Sequence, residues 1–260
     1  MRLDPLVHQH VIDCLEQKLG APENWECVAN AIQDDVRAHA PHLQTGDLKR
    51  LHVSDLEILF QAIDRQVFEG WIGHILKKIG APLSFRLGTR MTSCGGTTTR
   101  IRSQTKSSQE RYEIAIAPRL LFTTFQLAPS ALVCGIECFN VYEALQRIME
   151  HESIHLLEMV VWRVSSCKRR RFKDIAHRCF GHSSSNHCLM TPAQAAANVF
   201  EIRVGDQVAF EFEGHSLRGV VNRVTRRATV LVRSAAGQRY TDGLRYRKFY
   251  VPMEALRKID

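Results

Sequence analysis

The segment of residues 140–161 restricts the fold more than any other part of the chain, because it combines a helical repeat of apolar side chains with a run of ionisable ones. Leu145, Ile148 and Leu156 belong to a set of apolar residues with a period near 3.6, which predicts a helix buried on most of its surface. The sequence HESIH, at residues 151–155, lies inside this helix. Since ionisable groups are costly to bury without partners, the helix needs a site that compensates them.

Residues 151–155 follow the HExxH pattern, which is typical of a metal centre. Residues four apart lie on one helical face, so the imidazoles of His151 and His155 can reach a single ion. Zinc suits imidazole ligands, and Glu152 beside them can take a proton from a water that attacks a carbonyl. The pattern therefore predicts a zinc centre with Glu152 as general base. A helix with two hydrogen-bonded core histidines is the alternative, and the apolar neighbours favour the metal.

Outside this helix, the hydrophobic pattern of the chain alternates between helical and strand-like segments. Helical periodicity extends to about residue 79, alternation at residues 83–87 and 112–116 predicts strands, and residues 171–179 predict another helix. After residue 204, short alternating segments predict four or five strands in a small SH3-like barrel. We therefore expect an α+β chain made of three regions: an N-terminal helical extension at residues 1–47, a main domain at 48–190 and the barrel at 204–260.

Composition excludes several classes of protein. The chain has 260 residues and is 45% hydrophobic, so it can bury a core without disulfides. Its eight cysteines are scattered and form no CxxC pair, which argues against a zinc ribbon and against a disulfide framework. No uncharged apolar stretch approaches ~18 residues, and the N-terminal residues show no secretory pattern. We expect a cytoplasmic protein without a membrane partner.

Several motifs, in this order, resemble the SprT-like metallopeptidase family, which includes the Spartan proteases. The motifs are Leu59-Phe60, Phe68-Glu-Gly70, Cys94-Gly-Gly96, the alternating residues 112–116 and the helix at 144–155. The resemblance covers roughly residues 50–190. It implies a zincin-like metallopeptidase fold, zinc-dependent hydrolysis of peptide bonds and, as for Spartan, action on proteins crosslinked to DNA.

The third metal ligand departs from this family. Lys168 stands where the family usually has a histidine followed by glycine, and lysine binds zinc only when it is deprotonated. The neighbouring Cys167 can supply a thiolate, which is a good zinc ligand. His182 is the alternative, although residues 172–182 would span about 15 Å if they were all helical. We predict Cys167 as the third ligand and leave His182 open; Cys167 also fits an inert thiol at the start of a helix.

Basic residues are concentrated in two places. The formal net charge is +8, and Asp174 is the only acid among the many basic residues of the segment 163–178. The run at 168–171 fits a solvated face, and next to a metal centre it can also hold phosphates through Arg169, Arg170 and Arg171. The tail at 204–260 resembles SH3-like and KOW-type modules, which bind nucleic acid or peptides. Its aromatic residues fit a barrel core as well as a stacking platform.

These observations predict a zinc metallopeptidase of the SprT-like type. Its ligands would be His151, His155 and Cys167, its substrate a protein, and its second partner DNA, bound through the basic run and the barrel. The competing hypothesis is a non-catalytic nucleic-acid-associated protein in which the HExxH site is structural or degenerate.

Overall fold

The computed structural model describes residues 9, 12, 13, 24–40, 43, 50–102, 110–225 and 227–259. Within these ranges the chain forms two compact units that divide between Leu189 and Met190. Most of the predicted N-terminal extension lies outside the described residues. Its described part contains one helix, α1 (Trp25–His39). None of the described helices is long and apolar enough to span a membrane.

The first unit is mainly helical. After α1 it contains five helices, which are α2 (Val53–Phe68), α3 (Trp71–Lys78), α4 (Pro118–Leu127), α5 (Val141–Val161) and α6 (Arg170–Phe180). Their buried faces meet in one hydrophobic core. The helix predicted at residues 140–161 is confirmed as α5, and the one predicted at 171–179 is confirmed as α6.

A three-stranded mixed sheet lies beside these helices. Its strands are β1 (Leu83–Leu87), β2 (Gly96–Ile101) and β3 (Arg111–Ile116), in the order β1-β3-β2. β3 is parallel to β1 and antiparallel to β2, so β2 is an edge strand. Helix α5 packs against β2 and α2, which places the HESIH segment next to the edge of the sheet.

Local signals fix both ends of α5. The Asn140 side chain accepts a hydrogen bond from the Glu143 backbone N–H at 3.0 Å, and the Glu143 carboxylate accepts one from the Phe139 N–H at 2.7 Å. The helix contains neither glycine nor proline. It ends at Val161, and Arg163, two residues later, adopts a left-handed conformation with φ 64°. The HESIH segment therefore lies within a long helix with defined ends.

A short hairpin lies between α4 and α5 and contributes to the site. Strands β4 (Ala131–Val133) and β5 (Ile136–Cys138) are joined by Cys134 and Gly135, which both have positive φ. A Cβ atom at Gly135 would lie 2.0 Å from Ser183 Oγ, so only glycine fits this turn. The hairpin is thus held close to the segment that follows α6.

The second unit is a helix and an open sheet. It contains α7 (Pro192–Val199), β6 (Gln207–Phe212), β7 (His215–Val224), β8 (Ala228–Arg239), β9 (Arg245–Val251), a 3-10 turn (Met253–Ala255) and β10 (Arg257–Lys258). The antiparallel order is β10-β6-β7-β8-β9. The predicted strands are present, and the chain is α+β as expected. The prediction of a closed barrel is wrong, because β9 pairs only with β8 and the two-residue β10 pairs only with β6.

Candidate metal centre

The two histidines of the motif face each other across one turn of α5. Their Nε2 atoms are 3.1 Å apart. The His151 side chain is buried, and His155 is partly buried. Both rings contact Phe172 of α6, with centroid distances of 4.8 Å for His151 and 4.5 Å for His155. The aromatic ring therefore limits the orientations that the two imidazoles can adopt.

A chain of hydrogen bonds fixes which nitrogen of His155 carries a proton. Ser165 Oγ lies 2.6 Å from Glu158 Oε2 and 2.6 Å from His155 Nδ1. The Glu158 carboxylate is fully buried and paired with Arg171 at 2.6 Å, so it accepts the single hydroxyl proton of Ser165. Ser165 Oγ must then accept a proton from His155 Nδ1. A neutral His155 is left with its lone pair on Nε2.

Cys134 has a similar effect on His151. The Cys134 thiol donates to the carbonyl oxygen of Arg147 at 3.7 Å, and its sulfur lies 3.8 Å from His151 Nδ1. The sulfur can therefore accept the Nδ1 proton of His151, which places the lone pair of this ring on Nε2 as well. In these tautomers both Nε2 atoms, which lie 3.1 Å apart, carry a lone pair.

This arrangement of donors fits a cation. Two nitrogen ligands of one tetrahedral ion, at about 2.0–2.1 Å from the metal, are separated by about 3.3 Å. The observed separation of 3.1 Å is close to this value. Two facing lone pairs repel each other unless a positive charge lies between them or nearby. The spacing of the two Nε2 atoms on this helix therefore fits two ligands of one metal ion.

Burial keeps the imidazoles neutral, as metal binding requires. It lowers the pKa of His151 to about 2, and the neighbouring His187 and His155 add to this effect. Burial also lowers the pKa of His155 and brings that of His187 to about 4. At neutral pH the lone pairs of these rings are available to a ligand, not protonated.

The structure brings Cys167 to the two histidines and does not bring His182. One donor atom from each of His151, His155 and Cys167 lies within 4.8 Å of the others. His182 instead points its Nε2 at Glu150 Oε2, at 2.9 Å, and both side chains are fully buried. Arg147 also binds Glu150, so His182 belongs to a buried ionic cluster and is absent from the groups of possible metal ligands among the described residues.

Glu152 lies beside the imidazoles on the side of the sheet. Its side chain is buried, and its Oε2 accepts a hydrogen bond from Thr98 Oγ1 of β2 at 2.7 Å. A Cβ atom at Gly96 would lie 2.7 Å from Glu152 Oε1, so the strand approaches the carboxylate this closely only because residue 96 has no side chain. Burial raises the pKa of Glu152 to about 7. The carboxyl group can therefore exchange a proton near neutral pH.

The ionisable groups open onto one cavity of about 590 Å³. His151, Glu152 and His155 line it, together with Thr97 and Thr98 of β2 and the segment 185–188. The cavity is large enough for a small ligand or a short stretch of polypeptide.

The three arginines of the predicted phosphate-binding run differ in their surroundings. Arg169 and Arg170 are exposed, and Arg170 forms an ion pair with Asp174 at 3.5 Å while its side chain stays 94% accessible. Exposed pairs of this kind contribute little stability, so a phosphate can compete with Asp174 for Arg170. Arg171 is held by Glu158, donates to the Val164 carbonyl oxygen at 3.1 Å and lies 4.2 Å above the Trp162 ring. Its guanidinium stabilises the hydrogen-bond chain to His155, so Arg169 and Arg170 are the members of the run available to a phosphate.

Four residues of this centre did not emerge from the sequence as site residues: Thr98, Cys134, Ser165 and His187. Thr98 and Cys134 come from strands and turns that are distant in sequence from the HExxH helix. Ser165 follows α5 at a spacing that no motif marks. His187 follows a serine-rich segment at a spacing that no motif marks, and its ring lies 4.7 Å from that of His151.

No family model, curated protein or solved structure matches this chain. The resemblance to SprT-like proteins therefore stays a prediction that depends on the motifs in the sequence.

Proposed function

We propose that this chain is a zinc-dependent metallopeptidase in which His151, His155 and Cys167 hold the metal and Glu152 is the general base. The observation that carries the proposal is the pair of Nε2 atoms of His151 and His155, 3.1 Å apart, with the buried carboxyl group of Glu152 beside them. Two imidazoles and a thiolate form a donor set that favours zinc over magnesium and calcium.

When bound, zinc would supply Lewis acidity that polarises a peptide carbonyl and lowers the pKa of a water molecule. Glu152 would accept the proton of the attacking water and then deliver it to the amine that leaves. Its pKa of about 7 suits both steps, because a group with this value both gains and loses protons readily at neutral pH. Thr98 fixes the carboxylate orientation through Oε2, which leaves Oε1 for the transferred proton.

The edge strand favours a polypeptide substrate. Among the described strands, β2 pairs only with β3, so its other edge has backbone N–H and C=O groups without strand partners. An extended peptide can pair with such an edge. Gly96, Thr97 and Thr98 of β2 line the cavity beside Glu152, so a peptide paired there would have its backbone next to the general base.

We further propose that the substrates are proteins associated with or crosslinked to DNA. The resemblance to Spartan-type proteins implies this class of substrate. Arg169 and Arg170 are exposed two to three residues after Cys167 and offer charges for phosphates. In the second unit, Tyr250 is 64% exposed on β9, and Lys248 lies on the same face of the strand, which favours stacking of an unpaired base beside a cation.

Replacement of Glu152 by glutamine tests the proposed reaction. Glu152→Gln preserves size and the hydrogen bond from Thr98 but cannot take the proton, so we expect bound zinc to be retained and cleavage to fall by about 10²–10⁴-fold. Casein and a DNA-crosslinked protein serve as substrates, and elemental analysis reports the zinc. The matched control is Glu57→Gln on the exposed surface of α2, which should cleave at the wild-type rate.

Two results would contradict the proposal. Wild-type cleavage by Glu152→Gln would show that Glu152 is not the base. Zinc bound by a wild-type protein that cleaves neither substrate, while it binds DNA, would favour the competing hypothesis of a non-catalytic nucleic-acid-associated protein with a structural metal site.

A further inference from the structure

A second group of donor atoms lies on the other side of the His151 ring. Among the described residues, Cys134, His151 and His187 each place one donor atom within 4.8 Å of the others. Cys134 Sγ is 3.8 Å from His151 Nδ1, the nitrogen that faces away from His155. The rings of His151 and His187 are nearly perpendicular, at 77°, with centroids 4.7 Å apart.

Backbone hydrogen bonds hold Cys134 and His187 in place. The Cys134 N–H donates to the Asn186 carbonyl oxygen at 2.9 Å, and the Cys188 N–H donates to that of Leu132 at 3.0 Å. Val133 and His187 form an antiparallel bridge between these bonds. The two donor side chains therefore come from paired backbone segments, and their separation does not depend on a flexible loop.

His187 has an unused donor atom in this group. Its Nε2 is buried and has no hydrogen-bond partner among the described residues. A buried polar atom without a partner costs about 1–3 kcal/mol, so such atoms in folded proteins usually have a ligand, an ion or a water. The Cys134 side chain next to it is fully buried.

We propose that Cys134, His151 and His187 form a second metal site, selective for thiophilic cations such as Zn²⁺, Cd²⁺ or Cu⁺. One thiolate and two imidazoles favour these ions over Mg²⁺ and Ca²⁺, which prefer oxygen ligands. This inference shares only His151 with the metal centre of the proposed function.

The shared histidine couples the two sites. Binding at the second site releases the thiol proton of Cys134 and the Nδ1 proton of His151 to solvent. When Nε2 already holds an ion, His151 becomes an imidazolate that bridges two cations. Because the second step removes a proton from a ring that already serves as a ligand, and because two cations repel each other, the second ion binds more weakly than the first.

Titration of the metal-free full-length chain with Cd²⁺ tests the proposal, with the ultraviolet sulfur-to-cadmium band and the number of bound ions as readouts. We expect the wild-type chain to bind two ions, the second at least about tenfold more weakly. Cys134→Ala and His187→Gln should each bind one ion, and Cys134→Ala should lose part of the band. Cys27→Ala, which removes an exposed thiol of α1 that belongs to neither group of donor atoms, is the control and should behave as wild type.

The pattern of ion loss among the variants shows which of the two sites exists. If Cys134→Ala and His187→Gln both bind as many ions as wild type while Cys167→Ala loses one, the second site does not exist and the proposed centre stands. If Cys167→Ala binds as wild type while Cys134→Ala and His187→Gln lose an ion, the second site stands and the proposed third ligand fails. Circular dichroism of each variant shows whether a lost ion reflects a lost fold, and His187→Gln, which keeps a side chain of similar size, repeats the test without changing the buried thiol.

Discussion

Ser165 is the residue on which the orientation of His155 depends most directly. It connects a fully buried carboxylate to a ring that is otherwise positioned only by aromatic contact. Partners of metal-binding histidines of this kind commonly contribute about 10–100-fold to metal affinity. In this chain the partner is indirect, since a hydroxyl lies between Glu158 and the imidazole.

We expect Ser165→Ala to weaken zinc binding by about 10–100-fold without loss of the fold. The alanine removes the acceptor for Nδ1–H, so His155 no longer favours the tautomer with its lone pair on Nε2. Competition with a chromophoric chelator measures the affinity. Ser216→Ala, at an exposed position in the second unit, is the control. Equal affinities in all three proteins would mean that Ser165 does not select the tautomer.

Replacement of Cys167 and replacement of His182 should have different effects on zinc affinity and on stability. We expect Cys167→Ser to lose zinc affinity and keep its stability, because the side chain is partly exposed and is a ligand in the proposed centre. His182→Ala should keep zinc and lose about 1–3 kcal/mol of unfolding free energy, because it leaves Glu150 with one buried partner fewer. Urea unfolding and zinc titration are measured on both variants. The opposite pattern would transfer the ligand role to His182.

Residues of this site can be identified from the sequence only where their spacing along the chain determines which side chains lie together. His151 and His155 lie four apart on a helix, so their shared face follows from the helical repeat. Cys134 and His187 reach the same place through the Val133–His187 bridge, which joins segments far apart in the chain. Nothing in the sequence around Cys134, in its two-residue turn, or around His187, after its serine-rich segment, indicates that the two segments pair.

At the level of secondary structure, α1 is attached to α2 by one polar cluster and a shared apolar face. Asp35 accepts hydrogen bonds from Arg65 at 2.7 and 3.1 Å and from Gln66 at 3.1 Å. The bond from Arg65 lowers the pKa of Asp35, and burial opposes this effect. Ile32 and Val36 of α1 are buried in the core of the first unit.

Replacement of Asp35 by asparagine should destabilise the protein in a pH-dependent way. A carboxyl group whose pKa is lowered by folding contributes stability that is present above its unfolded value and is lost as pH falls through its folded value. The ordinary pKa of this carboxyl group is 3.8. At pH 7 the unfolding free energy of the wild type should therefore exceed that of Asp35→Asn by about 1 kcal/mol, and the difference should shrink as the pH falls below 3.8. Urea unfolding at pH 7 and pH 3 measures it. A constant difference would point to packing instead of charge.

The order of strands is harder to predict than their existence. Alternation identifies residues 83–87 and 112–116 as strands, yet it does not show that β3 lies between β1 and β2. In the second unit the same alternation cannot distinguish a closed barrel from an open sheet. Closure requires pairing between the two edge strands, β9 and β10, and β10 is only two residues long.

At the scale of the whole chain, the excess of positive charge is the feature that the metal centre does not explain. The formal net charge is +8. Of the basic side chains near Cys167, Lys168, Arg169 and Arg170 are exposed, while Arg171 is engaged with Glu158. Exposed charges of this kind bind polyanions through the release of counterions, with little dependence on base sequence.

We expect the full chain to bind DNA with an affinity that falls steeply as salt concentration rises. Replacement of Arg169 and Arg170 by glutamine should lower the slope of log affinity against log salt by up to about 2, one unit per lost phosphate contact. Fluorescence anisotropy at several salt concentrations measures the slope. The control replaces Lys77 and Lys78, two exposed lysines of α3, by glutamine and removes the same charge. Equal slopes in both variants would mean that the two arginines do not contact phosphates.

The close approach of β2 to Glu152 also restricts which residues position 96 can accept during evolution. Because a Cβ atom at residue 96 would lie 2.7 Å from Glu152 Oε1 and 2.7 Å from Ile148 Cγ2, a single methyl group there displaces the carboxylate while every donor atom of the metal centre is unchanged. In the proposed function, a descendant of this chain that loses only Gly96 would retain both HExxH histidines while its general base is displaced. Genomes that retain the HExxH motif but not this glycine would, on this proposal, encode proteins that bind the metal and do not cleave.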